Sequence, residues 1–327
     1  MFVKKILYTV CSANHLAHCK TMADSFVKFN PEYQVIIALT DEINNRFSVS
    51  EFEPYTLMES GKLGFPNFNL MAQQYTVIEL NCAMKAFVAQ YIFSKFEPDL
   101  LVYLDADIWV FNSFNSVETA MLQNDLLITP HITNPYPFDH LLPRERDTLR
   151  SGLYNAGFMA MKPTQNVNAF IHWWMEHLKN ECFYNFAEGM GVDQLWLNLA
   201  PLLFSNVDIF NNPGANVAYW NLHERSIDLI DDSYVVNQTE PLLFLHISGY
   251  SFDHPTILSR HQNRFELINL PVLQSLLKNY QNEVIMNGYE KYILMDCVYA
   301  KKKKKSQGIM KFVNQLIQPL GIKVSDI

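Results

Sequence analysis

The chain reads as an α/β fold, and three features of the sequence point to it. Ile6–Val10 is a strand-like run, a helical stretch striped by Leu16, Met22, Phe26 and Phe29 follows, and Tyr33–Thr40 is a second apolar run. Strand, helix and strand in such quick succession open a parallel sheet. Leu100–Leu104 is five consecutive apolar residues, the pattern of a central strand covered on both faces. Further strand-like runs, at 125–130, 153–162 and 241–246, then alternate with helical ones.

With 327 residues, 49 % of them hydrophobic and 13 % aromatic, the chain can bury a sizeable core. Its net charge of −8 argues against nucleic acid as a partner. Met1–Lys5 leads straight into the first strand without the apolar core of a signal peptide. No apolar run approaches the ~20 residues of a membrane span. The five cysteines are widely spaced and lack a CxxC pair, which predicts reduced thiols and a cytoplasmic protein.

Within this frame, Thr76 and Glu79 form a capping box for a helix carrying Val77, Leu80, Met84, Phe87, Val88, Tyr91 and Ile92 on one broad face. Lys85 is the cation in its interior. Residues 42–75 are polar and Gly/Pro-marked, with no readable chemistry. A short helix over 115–124 precedes the strand at 125–130. The stretch 131–150, rich in Pro, His and charge, is long enough for a functional loop on the acceptor side. Its His131 and His140 are not spaced as a metal pair and stay unassigned. Helices are expected over 166–178 and, as a pair, over 264–298.

The chemistry concentrates where the strand at 100–104 ends. Asp105 and Asp107 stand two apart, so in an extended chain both carboxylates point the same way. They lie at the carboxyl end of a strand, where open α/β sheets bind ligands. Two hard oxygen ligands suit Mg²⁺ or Mn²⁺ that also takes phosphate oxygens from a substrate. No GxGxxG follows the first strand, which disfavours a nicotinamide or flavin site.

An apolar strand closed by Asp-x-Asp resembles the metal motif of GT-A-fold glycosyltransferases. Three further stretches narrow the resemblance: Tyr154-Asn155-Ala156-Gly157, Asp193-Gln194 with Asn198, and the apolar run ending His246-Ile247-Ser248-Gly249. Together they are similar to the family-eight-like group that includes glycogenin and the bacterial lipopolysaccharide galactosyltransferases. Pro213 to Arg225 is similar to that group's "N…WN" segment. Tyr250-Ser251-Phe252 departs from its Lys-Pro-Trp ending, and the first strand lacks its usual Asp.

The resemblance implies a GT-A fold over 1–255, a single mixed sheet flanked by helices, with a helical C-terminal extension over 256–300 and a basic tail over 301–327. It implies a metal on Asp105, Asp107 and His246, and an imidazole beside two carboxylates favours Mn²⁺ over Mg²⁺. The donor, a nucleotide-diphosphate sugar, would set its base and ribose against Cys11, Ser12, Asn14 and Asp41. Lys85 and the backbone at Gly249 would meet the diphosphate, and Arg225 the diphosphate or the acceptor. Asn155 and Gly157 would line the sugar pocket, Asp193 would hold sugar hydroxyls, and Gln194 would lie beneath the anomeric carbon. The implied reaction moves the sugar to a hydroxyl on a glycan, a lipopolysaccharide-type or a lipid-linked acceptor. Retention is favoured because no Asp or Glu stands out as an inverting base.

Two other readings compete. Leu101–Asp107 with Ile230-Asp231-Asp232 mimics a haloacid-dehalogenase phosphatase, although Trp109 stands where those enzymes want Thr or Val. A non-catalytic nucleotide-sugar or glycan binder would have no use for both carboxylates, His246 and Gln194 together. Finally, Lys301–Lys305 precede Ile309, Phe312, Val313, Leu316, Ile317 and Leu320 at helical spacing. This arrangement predicts peripheral binding to an anionic membrane surface at its inner face.

Overall fold

The computed structural model describes residues 2–299. In chain order the strands are β1 (Lys5–Cys11), β2 (Gln34–Leu39), β3 (Thr56–Glu59), β4 (Leu100–Leu104), β5 (Ile108–Val110), β6 (Leu126–Pro130), β7 (Tyr154–Met161), β8 (Tyr184–Asn185), β9 (Met190–Gly191), β10 (Val207–Ile209), β11 (Ile227–Ile230), β12 (Ser233–Val236), β13 (Glu240–Pro241) and β14 (Phe244–His246). The helices are α1 (Leu16–Phe29), α2 (Phe68–Gln74), α3 (Val77–Phe96), α4 (Asn115–Met121), α5 (Glu145–Ser151), α6 (Gln165–Leu178), α7 (Gln194–Leu197), α8 (Ala200–Leu203), α9 (Pro271–Met286) and α10 (Tyr289–Tyr292).

Seven strands form one mixed sheet in the order β10-β6-β7-β4-β1-β2-β3. All neighbours are parallel except β7, which runs antiparallel to both β4 and β6. The expected α/β architecture, one large mixed sheet with helices on both faces, is therefore present. Both faces of the sheet are apolar, as the unbroken run at 100–104 requires. Leu100, Val102 and Leu104 pack with α1 and α9 on one face, while Leu101 and Tyr103 pack with α3 and α6 on the other. The stretch 42–75 holds more order than its polar sequence suggests, since β3 and α2 lie within it. β3 extends the sheet beside β2, and only four residues with mixed exposure mark it, too short a run for a period-2 signal.

A second, two-stranded sheet decides where the site lies. β5 pairs antiparallel with β14, and the register sets His246 opposite Ile108, one residue beyond Asp107. The amide of Ile247 also donates to the Asp107 carbonyl at 2.9 Å. The C-terminal extension is not a separate body: Leu273, Leu276, Leu277, Tyr280 and Val284 of α9 belong to the same apolar cluster as Leu7, Phe26 and Val102. Residues 301–327, on which the expected membrane-binding tail falls, lie outside the described residues. Leu277→Ala is expected to cost about 2–5 kcal/mol. It should lower a single unfolding transition; a separate early melting of α9 with the sheet unaffected would contradict the shared core.

Candidate active site

Asp105, Asp107 and His246 each offer a ligand atom, and these atoms all lie within 4.8 Å of one another. The two carboxylates share a side for a different reason from the expected one. Residues 105–107 are not extended; they form a turn between β4 and β5, closed by the Ile108 amide on the Asp105 carbonyl at 3.2 Å. Both carboxylates keep part of their surface exposed, 26 % and 33 %, so an ion can reach them.

The orientation of His246 follows from its neighbours. The Gly157 amide donates to Asn155 Oδ1 at 3.0 Å, which fixes the Asn155 side chain with its oxygen toward the ring. That oxygen and Asn216 Oδ1 both lie 3.1 Å from His246 Nδ1. Two amide oxygens facing one ring nitrogen favour the tautomer that carries its proton there. Nε2 then presents its lone pair 3.3 Å from Asp107 Oδ1 and 3.8 Å from Asp105 Oδ2. Two carboxylate oxygens and a neutral imidazole nitrogen fit a divalent cation that accepts mixed N/O ligands.

With no cation bound, burial disfavours a charged His246, and Asp107 outweighs it, so the imidazole is held above its usual value. Asp107 is pushed down to about 2: burial raises it, but His246 lowers it more. A raised folded-state value means that this ion pair stabilises the protein fully below the unfolded His value, and that the stabilisation is lost as pH rises through the folded one. The proton and the cation compete for Nε2, so apparent metal affinity increases with pH across that raised titration.

Gly157 makes this packing possible. A Cβ there would sit 2.4 Å from His246 Cε1 and 2.6 Å from Asn155 Oδ1. The close approach is between backbone and imidazole, a use of glycine the sequence could only suggest in general terms.

On the other side of Asp105 lies a buried cation. Lys85 Nζ is 3.0 Å from Asp105 Oδ1 and 2.9 Å from Asp193 Oδ2, donates to the Ala156 carbonyl at 3.1 Å, and sits 4.8 Å from the Tyr103 ring centre. Burial alone would lower its value, yet Asp105 and Asp193 raise it well above the usual one, so the ammonium stays charged. Two carboxylates and a carbonyl surround the ammonium within the protein, which departs from the expected role of meeting a diphosphate. Asp193 is 2 % exposed and its side chain does not cap α7; it is spent on Lys85. Gln194 opens α7 beside it, with Oε1 3.5 Å from Asn155 Nδ2. Gly152, at φ +131°, packs directly on Gln194.

Several other expected site residues sit elsewhere. Arg225 is 4 % exposed, and its guanidinium bonds the Ala215 carbonyl with Glu224 at 3.8 Å, so it is an internal tie instead of a group offered to diphosphate or acceptor. The Cys11 side chain points into the core cluster. Ser12 donates to Asn14 Oδ1 at 2.6 Å, keeping these two together at the end of β1. Asp41 is fully buried and its carboxylate is taken: it accepts from the amides of Glu42 (2.8 Å), Val298 (3.0 Å) and Ala13 (3.4 Å) and pairs with Arg46 (2.8 Å). Residues 296–299 thus fold over the ends of β1 and β2, with Tyr299 OH on Glu42 at 3.0 Å. Gly249, at φ +74°, faces Ser259 and His261, where a Cβ would come within 2.5 Å of both. The phosphatase-like Asp231 and Asp232 are exposed in the turn between β11 and β12.

Two residues escaped sequence reasoning. His131 Nε2 lies 3.2 Å from Asn155 Nδ2, and burial pushes this imidazole down to about 4, so it is a neutral acceptor. Asn216 was visible only as part of a longer segment. Neither has a spacing signal, because each reaches the site through tertiary packing.

Two substitutions test this geometry. Gly157→Ala should displace the His246 ring and weaken Mn²⁺ binding at least about tenfold, as loss of ligand support typically does; unchanged affinity by calorimetry would contradict the packing argument. Lys85→Met leaves two carboxylates without their cation and should cost about 3–5 kcal/mol near neutral pH. The loss should shrink in acid as Asp193 protonates; a pH-independent loss in denaturant titrations would argue against the ion pair.

No family model matches the chain. Over 99 residues it is 34 % identical to the uncharacterized protein YfnF of Bacillus subtilis (strain 168), a match covering 30 % of this chain and only 33 % of that protein. It is 19 % identical over 249 residues to YfnD of the same organism, covering 74 % and 77 % of the two chains. Among solved structures it is similar to the galactosyltransferase LgtC in complex with donor and acceptor sugar analogues, at TM-score 0.48 and 11 % identity, covering 93 % of this chain and 99 % of that one. It is also similar to the glycosyltransferase GlyE of Streptococcus pneumoniae TIGR4, at TM-score 0.48 and 15 % identity, covering 92 % and 66 %.

Proposed function

We propose that the chain is a glycosyltransferase that moves a sugar from a nucleotide-diphosphate sugar to a hydroxyl acceptor, with a divalent cation, Mn²⁺ by preference, and with retention. The observation that carries this reading is the meeting of Asp105, Asp107 and His246 at a strand end, with Asp193 joined to the same centre through Lys85 and Gln194 through Asn155. When bound, the cation supplies Lewis-acid neutralisation of the departing diphosphate. Asp105 Oδ2, an Asp107 oxygen and His246 Nε2 are the atoms that would hold it. Lys85 keeps Asp105 Oδ1 turned inward, so that Oδ2 faces the cation's position.

Gln194 makes one long bond to Asn155, which leaves most of its amide for the sugar. Retention is supported by the carboxylates themselves. Asp105 and Asp107 belong to the metal group, and Asp193 is buried against Lys85, so none of the three is free to meet an acceptor hydroxyl as general base. The acceptor fits the cleft of about 470 Å³ bordered by Pro130, Thr133, Leu149, Tyr154, Asn211 and Glu145, whose carboxylate accepts from the Tyr136 amide at 2.8 Å. Leu153 and Tyr154, which border the cleft, lie in sequence between Asn155 and Gly152, which packs on Gln194. Among the described residues no helix is long and apolar enough to cross a membrane. A lipid-linked acceptor would be reached through Lys301–Lys305 and the apolar residues that follow them in sequence.

Asp107→Asn and His246→Ala should each abolish Mn²⁺-dependent hydrolysis of a nucleotide sugar. Gln194→Ala should lower kcat tenfold or more, about 1.4 kcal/mol, with little change in KM, since a group beneath the anomeric carbon acts in the transition state. Turnover by the wild type in excess chelator would sink the metal role. Hydrolysis of a generic phosphate ester with Mg²⁺ in place of nucleotide-sugar turnover would favour the phosphatase.

A further inference from the structure

Beyond the oxygen it turns to His246, Asn216 is an unusual residue. It is fully buried and adopts the left-handed conformation at φ +55°. Its amide nitrogen has no hydrogen-bond partner among the described residues. A buried, half-satisfied amide in a backbone conformation that side chains rarely adopt is a cost to the fold. An apolar residue on relaxed backbone would avoid it.

What the position gains is its oxygen. Asn216 Oδ1 lies 3.1 Å from His246 Nδ1, on the ring edge away from Asp105 and Asp107. The surrounding backbone holds it there. The Val217 amide bonds the Phe244 carbonyl at 3.2 Å, the His246 amide bonds the Val217 carbonyl at 2.9 Å, and Asn221 Nδ2 bonds the Asn216 carbonyl at 2.9 Å. The segment therefore runs alongside β14 in fixed register with the histidine. Trp220, from the same segment, sets its ring edge-on to His246 at 5.1 Å. Asn155 supplies the second oxygen, and its own nitrogen is engaged by His131 and Gln194. The ring is thus held between two amide oxygens.

We propose that Asn216 is a positioning residue: with Asn155 it clamps the Nδ1 proton of His246, so that the Nε2 lone pair is presented toward Asp105 and Asp107. The inference rests on the metal reading for its purpose, but the clamp itself is a property of the protein without metal. Asn155 also couples the clamp to the sugar side, because the same amide touches Gln194. Asn216 has no such second contact and serves His246 alone.

Ring-nitrogen NMR on ¹⁵N-histidine-labelled, metal-free protein, read beside Mn²⁺ calorimetry, tests the proposal. His246 in the wild type is expected with Nδ1 protonated. Asn216→Gly suits the backbone conformation and removes only the amide. In that variant the Nε2-protonated tautomer should appear and the Mn²⁺ dissociation constant should rise about tenfold. Asn216→Asp keeps an acceptor oxygen and should retain the Nδ1 proton. A wild-type ring protonated on Nε2 alone, or a glycine variant whose ring-nitrogen spectrum matches the wild type, overturns the proposal. If the wild type shows the clamped tautomer, Asn216→Gly loses it, and Mn²⁺ binds neither protein, the clamp stands and the metal-dependent reading fails.

Discussion

The ammonium of Lys85 is the point on which the site depends. It is placed by α3, a helix whose start is set by the Thr76–Glu79 capping box and whose apolar surface packs under the sheet. From there it reaches Asp105, at the end of β4, and Asp193, in the turn before α7. These two carboxylates lie 88 positions apart in sequence and belong to different loops. Bringing them together without a cation would set two buried like charges against each other. With it, the β4–β5 turn and the turn before α7 are tied together. Tyr103 strengthens the link, its ring beside Nζ and its hydroxyl donating to Asp105 Oδ1 at 2.5 Å.

The second constraint is topological. β7 runs against its neighbours, and this reversal carries Asn155 and Gly157 past the end of β4, where the Asp105 amide bonds the Gly157 carbonyl at 2.9 Å. β14 returns along β5 and delivers His246 to the same place. The imidazole can approach because residue 157 has no side chain. The two carboxylates thus come from one turn and the imidazole from a distant strand, which explains why the group is compact although its members span 141 positions.

Much of this was legible in the sequence. The buried strand at 100–104, the Asp-x-Asp, the capped helix bearing Lys85 and the apolar run ending at His246 all have strong local signals, and the structure brings their polar residues together. Other features are local only in retrospect. Asp193 stands just before a short helix, and nothing near it in sequence could show that its partner is Lys85. Lys85 and Arg225 were read as cations offered to a substrate, whereas both are consumed inside the fold; burial, not residue type, decides this. Asp41 could be read as a strand-end carboxylate open to a ribose, but residues 296–299 take it. His131 and Asn216 act through side chains met only in three dimensions, so no periodicity could point to them.

The central claim is that a divalent cation and a nucleotide sugar share the centre made by Asp105, Asp107 and His246. Anomalous diffraction at the manganese edge, from crystals soaked with Mn²⁺ and a panel of nucleotide sugars, tests it most directly. The account predicts one peak between Asp105, Asp107 and Nε2 of His246, with the diphosphate oxygens of a bound donor completing its shell and the sugar next to Gln194. A peak elsewhere, or no ordered donor from the whole panel with the metal in place, would contradict it.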